Sequence, residues 1–460
     1  MATQRAAARL FPQPPDPAAA AARILDVPLH FPASRGWWIA TAIGAALLCL
    51  FVVSCGVLFF YGVGIWGNNI PNQWGFPILN YIWWLGIGHA GTFISALLLL
   101  LNQPWRNSLN RMAETMTLFA VACAGVYPIL HLGRPWLFYW TAPYPSTMGV
   151  WPQFKSPLAW DFVAVLTYLG VSTLFWYTGA IPDFAALRDR ATRRRWQIFA
   201  GILALGWRGS AVHWQRWTQA YRLIAILAVP LVISVSSGYS FLLDLGQVPG
   251  WHSTVFPPYF VAGAVFSGFA LVAIIACVLR RGLHFQELIT RRHLNVLGIT
   301  VLVTGLMTDY GYLADIFTAY YSGDAREIQT TLDRFAGSYA WSFWLAIFCN
   351  VLVIQLLWLR RLRENPLVLS LICAAVLLGM WVERFMLMFT SQSKDFLVSA
   401  FGDYAPTFWD WSLFLGTMGL WLFPFCLVIR FVPAISSFEL SETLHRARAE
   451  VQGADERGRR

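Results

Sequence analysis

An all-helical protein threaded repeatedly through a membrane is the fold class this sequence predicts. Three observations lead there. The 460 residues are 57% hydrophobic and only 12% charged, about half the charge of an ordinary soluble domain. The mean hydropathy is +0.54. Apolar runs of roughly 20 residues, the length that crosses a hydrocarbon core, recur at 37–62, 78–101, 112–132, 157–181, 221–243, 258–280, 293–317, 339–359, 366–389 and 408–432.

Residues 1–36 are rich in Ala, Pro and Arg and lack the apolar core and cleavage site of a signal peptide. They are expected to be a partly disordered tail, free to lie against a partner. The first three spans follow, and the loop 133–156 leads into the fourth, where Ser156 and Pro157 suit an N-cap and first helical residue. The stretch 196–206 in the long 182–222 loop is apolar but too short to cross, and is expected in the interface. Pro230 lies inside the fifth span, where neighbouring helices re-satisfy the freed carbonyl. Residues 433–460 form a C-terminal tail. Span lengths permit spans 2–5 and 6–9 to be two four-helix bundles related as a repeat, although no residue-level self-similarity marks one.

The net charge of +10 is almost all arginine, since Lys155 and Lys394 are the only lysines. These arginines separate apolar spans, so they read as topology signals rather than as a nucleic-acid surface. Of 33 Lys and Arg residues, 27 fall in the tails and alternate loops of one side. Arg134, Lys155, Arg326, Arg334 and Lys394 fall on the other, and Arg384 lies within a span. Both termini are therefore expected in the cytoplasm. The seven cysteines all sit in apolar spans without a CxxC pair, which argues against a disulfide framework, a zinc site or an iron–sulfur cluster bound by this chain.

Ionisable groups are costly in a membrane unless paired or hydrated, so each is a candidate for function. His131 lies at the outer end of the third span with Arg134 just beyond, and Asp161 lies about a turn into the fourth. Asp244 ends the fifth span on that side, after Ser236, Ser237 and Tyr239. Deeper lie His89, Asp309 and Glu383, about 16, 12 and 9 Å from the outer ends of their spans at the helical rise, with Arg384 next to Glu383. Neighbours in a helix point about 100° apart, so Glu383 and Arg384 need not pair. The outer half of the bundle thus reads as ionisable and the inner half as nearly free of such groups. Taken singly, His131 and Arg134 serve equally as interfacial anchors, Asp161 as a complement to a helix dipole, and His89 as a satisfied core histidine. Asp309 and Glu383 have no comparable packing role.

A histidine and an aspartate at one end of adjacent helices, in an aromatic bundle open to lipid, suit quinol. Its hydroxyl needs an acceptor that takes a proton as the electron leaves; histidine does this near neutral pH, and a carboxylate orients it or takes the next proton. His89 and the deeper carboxylates would form a partial relay. Haem fits less well, because His89 and His131 lie at different depths.

The motif "HLGRPW" at 131–136, followed by "SPLAWDF" at 156–162, resembles the NrfD/polysulfide-reductase family of membrane anchors. The ten spans, cytoplasmic ends and long 182–222 loop look most like the ActC subunits of bacterial alternative complex III, and the resemblance covers roughly 35–435. It implies two four-helix bundles plus two extra helices in the bacterial inner membrane. It also implies a periplasmic quinol or menaquinol pocket beneath an iron–sulfur subunit, with a multihaem cytochrome c and a sibling NrfD-like subunit in the complex. His131 and Asp161 would contact quinol, with Arg134, Tyr239 and Asp244 at the pocket. His89, Asp309, Glu383 and Arg384 would handle protons, and proton translocation is a further expectation. No haem or cluster would be held by the chain itself. The sibling ActF shares the fold; the intact His131/Asp161 pair favours ActC. Two other readings stay open. One is a proton-coupled secondary transporter, whose sign would be paired broken helices near the midplane. The other is an anchor of the same family without a quinol site.

Overall fold

A computed structural model describes residues 4–31, 34–141, 157–244, 246, 248–251, 253–394 and 397–458. Ten helices are long and apolar enough to cross a membrane: Arg35–Tyr61, Gly75–Leu100, Asn110–His131, Trp160–Arg190, Ala211–Phe241, Phe256–Gly282, Arg291–Ser322, Ala340–Trp358, Pro366–Ser393 and Phe408–Phe431. They are spans 1 to 10 below. Each predicted span is present, and no strand occurs among the described residues. This is a multi-pass membrane protein.

Span 2 is the axis of the fold. In its most apolar stretch 78% of the residues are buried inside the protein, against 17% in span 1, and it packs on spans 3, 5, 6 and 9. Small residues permit the close approach, as expected where lipid offers no hydrophobic drive between helices. A Cβ on Gly91 would stand 2.2 Å from the Ala113 carbonyl of span 3, and one on Gly268 of span 6 would stand 1.7 Å from the Cβ of Ala90. Spans 1 and 10 form a pair in the same way, with Gly416 against Phe51 and Gly419 against Leu48.

The helices run further than the apolar runs. Span 4 continues to Arg190, span 5 begins at Ala211 and span 7 ends at Ser322. Span 8 is not one regular helix: α-helix over Ala340–Ile347 gives way to a π turn at Phe348–Leu352 and then to a 3₁₀ stretch over Val353–Trp358. No Gly or Pro marks this break. The other nine spans are each a single α-helical element.

The N-terminal segment corrects the expectation of an irregular tail. It holds helices Gln4–Leu10 and Pro17–His30, the second capped by Asp16 accepting from the Ala19 amide at 3.0 Å. Both pack on the C-terminal helix Ser437–Gly458, so the two termini share one face of the bundle, called the terminal face below. Burial of Phe11, Ile24 and Leu440 closes this layer. Within the segment expected at the interface, Arg194–Leu203 is a short helix lying on span 4. On the opposite face, Ala325–Ala336 caps spans 7 to 9. Arg334 there pairs with Asp315 at 2.6 Å and donates to the Gly250 carbonyl at 3.0 Å.

Candidate functional site

Asp161 of span 4, Tyr81 of span 2 and Tyr239 of span 5 form a polar cluster toward the face opposite the termini. Asp161 is buried and accepts a hydrogen bond from the Tyr81 hydroxyl of span 2. The Tyr81 and Tyr239 rings meet edge to face with centroids 5.2 Å apart. The buried Tyr239 hydroxyl has no hydrogen-bond partner, and it lies within electrostatic reach of both Asp161 and Arg384. It is therefore a donor and acceptor facing the same region as a carboxylate.

His131 ends span 3, where Gly133 takes the left-handed conformation (φ +70°) and stops the helix. Its ring stacks on Trp66, centroids 6.3 Å apart and planes 7° from parallel, and its buried Nδ1 has no partner. Arg134 is exposed. Among the described residues no hydrogen bond or ion pair joins His131 to Asp161, whose partner there is Tyr81 of span 2. Residues 142–156, including Lys155 and the Ser156 cap, lie outside the described residues. Asp244 accepts from the Ser253 amide at 3.3 Å and so holds the loop after span 5.

Two turns deeper on the same helix faces lies a second tier. The His89 Nδ1 is 2.6 Å from the Ser236 hydroxyl, and its ring meets Tyr168 edge to face at 4.8 Å, leaving a buried Nε2 unpartnered. Tyr168 follows Asp161 by seven residues, and Ser236 precedes Tyr239 by three, spacings that keep each pair on one face. Below His89, Thr92 donates to Ser172 at 3.0 Å.

A third tier near the terminal face overturns the expectation that the inner half is nearly free of ionisable groups. Arg106, Arg111, Glu114, Asp183 and Glu439 are all buried there. Arg111 bonds Asp183 at 3.1 Å and Glu114 at 3.3 Å; Arg106 bonds Glu439 at 2.6 Å and lies 3.7 Å from Glu114. Ser95 donates to Glu114 at 2.5 Å, and Tyr221 links Arg106 to the same carboxylate. The reason for the miss is physical. The apolar runs stop at 112, 181 and 221, so Arg106, Arg111 and Asp183 read as loop, while the helices continue and the C-terminal helix covers their charged ends. Glu114 alone lies within a run, at the inner end of the third.

Spans 6 to 9 hold a further network. Glu383 and Arg384 do pair, at 2.6 Å, although they are sequence neighbours. The long arginine side chain folds back over Phe260, 4.1 Å from its centroid, which brings the guanidinium round to the carboxylate. Glu383 also accepts from Tyr259 and, at 3.2 Å, from Tyr312. Asn350, in the π turn of span 8, donates to the Tyr312 oxygen at 2.8 Å. Asp309 is half-buried, with a buried Oδ1 that has no partner; it does not join Glu383. Among the described residues no group of three or more His, Cys, Asp or Glu is disposed to hold a metal ion.

The profile of the polysulphide reductase family NrfD matches residues 66–394, a stretch containing every candidate above except Glu439. The chain belongs to the NrfD family. It is also similar to one of the subunits of the selenate reductase of Mesobacillus selenatarsenatis, 20% identical over 408 residues that cover 84% of this chain and 93% of that relative. A putative dimethyl sulfoxide reductase membrane subunit of Halobacterium salinarum is 23% identical over 279 residues, 58% of this chain and 56% of that relative. This NrfD-type protein is thus a membrane subunit of a redox complex. Tyr81, Trp66, Tyr168 and the third tier were not singled out by sequence. The heptad steps from Tyr81 to Gly88 and from Asp161 to Tyr168 were the signal available.

Proposed function

We propose that this chain is the quinol-oxidising membrane subunit of a respiratory or photosynthetic electron-transfer complex in the bacterial inner membrane, of the alternative complex III kind. The observation that carries the reading is the Asp161–Tyr81–Tyr239 tier, with an unpartnered buried hydroxyl on Tyr239 and an unpartnered ring nitrogen on His131 at the same face. The arginine distribution assigns that face to the periplasm. A quinol hydroxyl bound there gives its proton to Asp161 or His131 as the electron leaves. Tyr81 holds the carboxylate in place, and Trp66 holds the imidazole. Both protons leave on the periplasmic side, and both electrons pass to an iron–sulfur partner above.

The test is quinol oxidation by the purified complex carrying His131→Ala or Asp161→Asn, with its assembly checked. Loss of turnover in an intact complex supports the site. Full turnover in both variants moves quinol oxidation to another subunit. A second reading differs only in the partner: likeness to a selenate reductase subunit over 93% of its length favours a reductase as electron acceptor. Co-purified subunits separate the two, since a multihaem cytochrome c with a sibling NrfD-like subunit marks the first and a terminal reductase marks the second.

A further inference from the structure

The third tier has an uneven charge count. Two guanidiniums, Arg106 and Arg111, face three carboxylates, Glu114, Asp183 and Glu439, and no side chain among them is more than 9% exposed. If all were ionised the buried cluster would carry a surplus negative charge, which a low-dielectric site resists strongly. The geometry also ranks the three acids. Arg111 lies closer to Asp183, which accepts further bonds from the Ser437 amide and hydroxyl at 3.0 and 2.6 Å. Arg106 lies closest to Glu439, which Asn110 also bonds. Glu114 receives only the longer contacts, 3.3 and 3.7 Å, together with two hydroxyls.

Above the cluster the terminal face opens into a cavity of about 1770 Å³ whose floor includes Arg106, Tyr221 and Glu439. Three buried polar atoms in and beside the cluster, Arg111 Nε, Asn110 Oδ1 and Ser108 Oγ, have no hydrogen-bond partner. The charges on the cavity wall are Arg9, Arg222, Arg446, Glu442 and Glu450. Arg446 pairs with Glu442, and Glu450 accepts from the Ala8 amide at 2.9 Å. Arg9 and Arg222 are exposed, where solvent screens them. They do not neutralise the surplus below.

We propose that Glu114 holds a proton in the resting protein, and that with Arg106, Arg111, Asp183 and Glu439 it forms a proton-loading site supplied by water from this cavity. A hydronium in the cavity gives up its proton, and an O–H bond forms on Glu114. The Ser95 hydroxyl, which donates to the carboxylate at 2.5 Å, turns round to accept from the protonated acid and so leads toward the Thr92–Ser172 pair, one helical turn away below His89. The arginine distribution puts the cavity on the cytoplasmic side. The inference does not use the quinol reading, because its test detects a proton and not turnover.

Infrared spectroscopy of the purified complex, recorded in H₂O and D₂O, tests it through the carbonyl stretch of a protonated carboxylic acid. The expected result is a deuterium-sensitive band that disappears in Glu114→Gln. In Ser95→Ala, a milder change at a small residue, the band should move to higher frequency as it loses a hydrogen bond. Narrowing the cavity with Thr218→Trp should slow its deuterium exchange at least tenfold. A band that persists unshifted in Glu114→Gln and Ser95→Ala overturns the assignment. Unchanged exchange in Thr218→Trp overturns the supply route.

Discussion

The Glu383–Arg384 pair should behave as a balanced unit, and its two charges should be strongly coupled. Arg384→Met leaves a buried carboxylate with the Tyr259 and Tyr312 hydroxyls as its remaining donors. Breaking a buried pair from one side costs about 3–5 kcal/mol, and two retained donors put this variant near the lower end, about 3 kcal/mol. Glu383→Gln leaves the guanidinium over Phe260, where a desolvated cation–π contact retains about 2 kcal/mol. That variant should lose about 2–3 kcal/mol. The double variant Glu383→Gln/Arg384→Met removes both charges and should cost less than the two single losses added together, by about 2 kcal/mol or more. The assay is unfolding of the purified protein in mixed micelles titrated with dodecyl sulfate, followed by circular dichroism. Additive losses would show that the 2.6 Å contact is not an energetic pair, and the reasoning from burial would fail.

Three further outcomes are expected. Tyr81→Phe removes the donor to Asp161, and a bond to a charged acceptor is worth about 1.5–3 kcal/mol, so quinol turnover should fall tenfold or more in a fully assembled complex. Gly268→Leu places a side chain where a Cβ already meets Ala90 at 1.7 Å; overpacking of about 1–3 kcal/mol should lower the melting temperature and the yield of assembled protein. Trp66→Ala leaves the His131 ring without its stacking partner, so the Michaelis constant for quinol should rise more than turnover falls. An unchanged constant would make the stack irrelevant to binding.

Hydropathy alone located all ten spans, because a membrane imposes a length that few other constraints imitate. It could not locate their ends. Arg111, Glu114 and Asp183 sit in helical turns at or beyond the ends of the apolar runs, and a hydropathy window reads such turns as loop. The burial of Arg106 and Asp183 depends on Glu439 and Ser437, more than 250 residues further along, and no local pattern encodes that contact. The motif around His131 and Asp161 lies in the stretch that the family profile matches, yet Asp161 bonds to Tyr81, a residue hidden among other aromatic candidates. The break in span 8 was illegible for a different reason. It carries Asn350 toward Tyr312 and against Gly379, where a Cβ would meet the Asn350 oxygen at 2.2 Å. That close packing is tertiary, and π turns of this kind recur at functional sites.

The two buried networks differ in charge count, and this separates a loading site from a structural clamp. At Glu383–Arg384 one acid meets one base, so removing either leaves a lone charge. At the third tier, converting Glu114 to Gln removes the surplus acid and leaves two guanidiniums against two carboxylates. Shape and most hydrogen bonds survive, so the loss should be about 1 kcal/mol or less, the size of one neutral hydrogen bond. Arg106→Gln has the opposite effect. It leaves one guanidinium against three carboxylates, and an uncompensated buried charge costs about 3–5 kcal/mol unless a second proton binds. The acid and base variants should therefore be unequal here and comparable at Glu383–Arg384, in the same micelle assay. If Glu114→Gln is as damaging as Arg106→Gln, all three carboxylates are ionised and fully used in holding the C-terminal helix, and the cluster is a clamp with no proton to give.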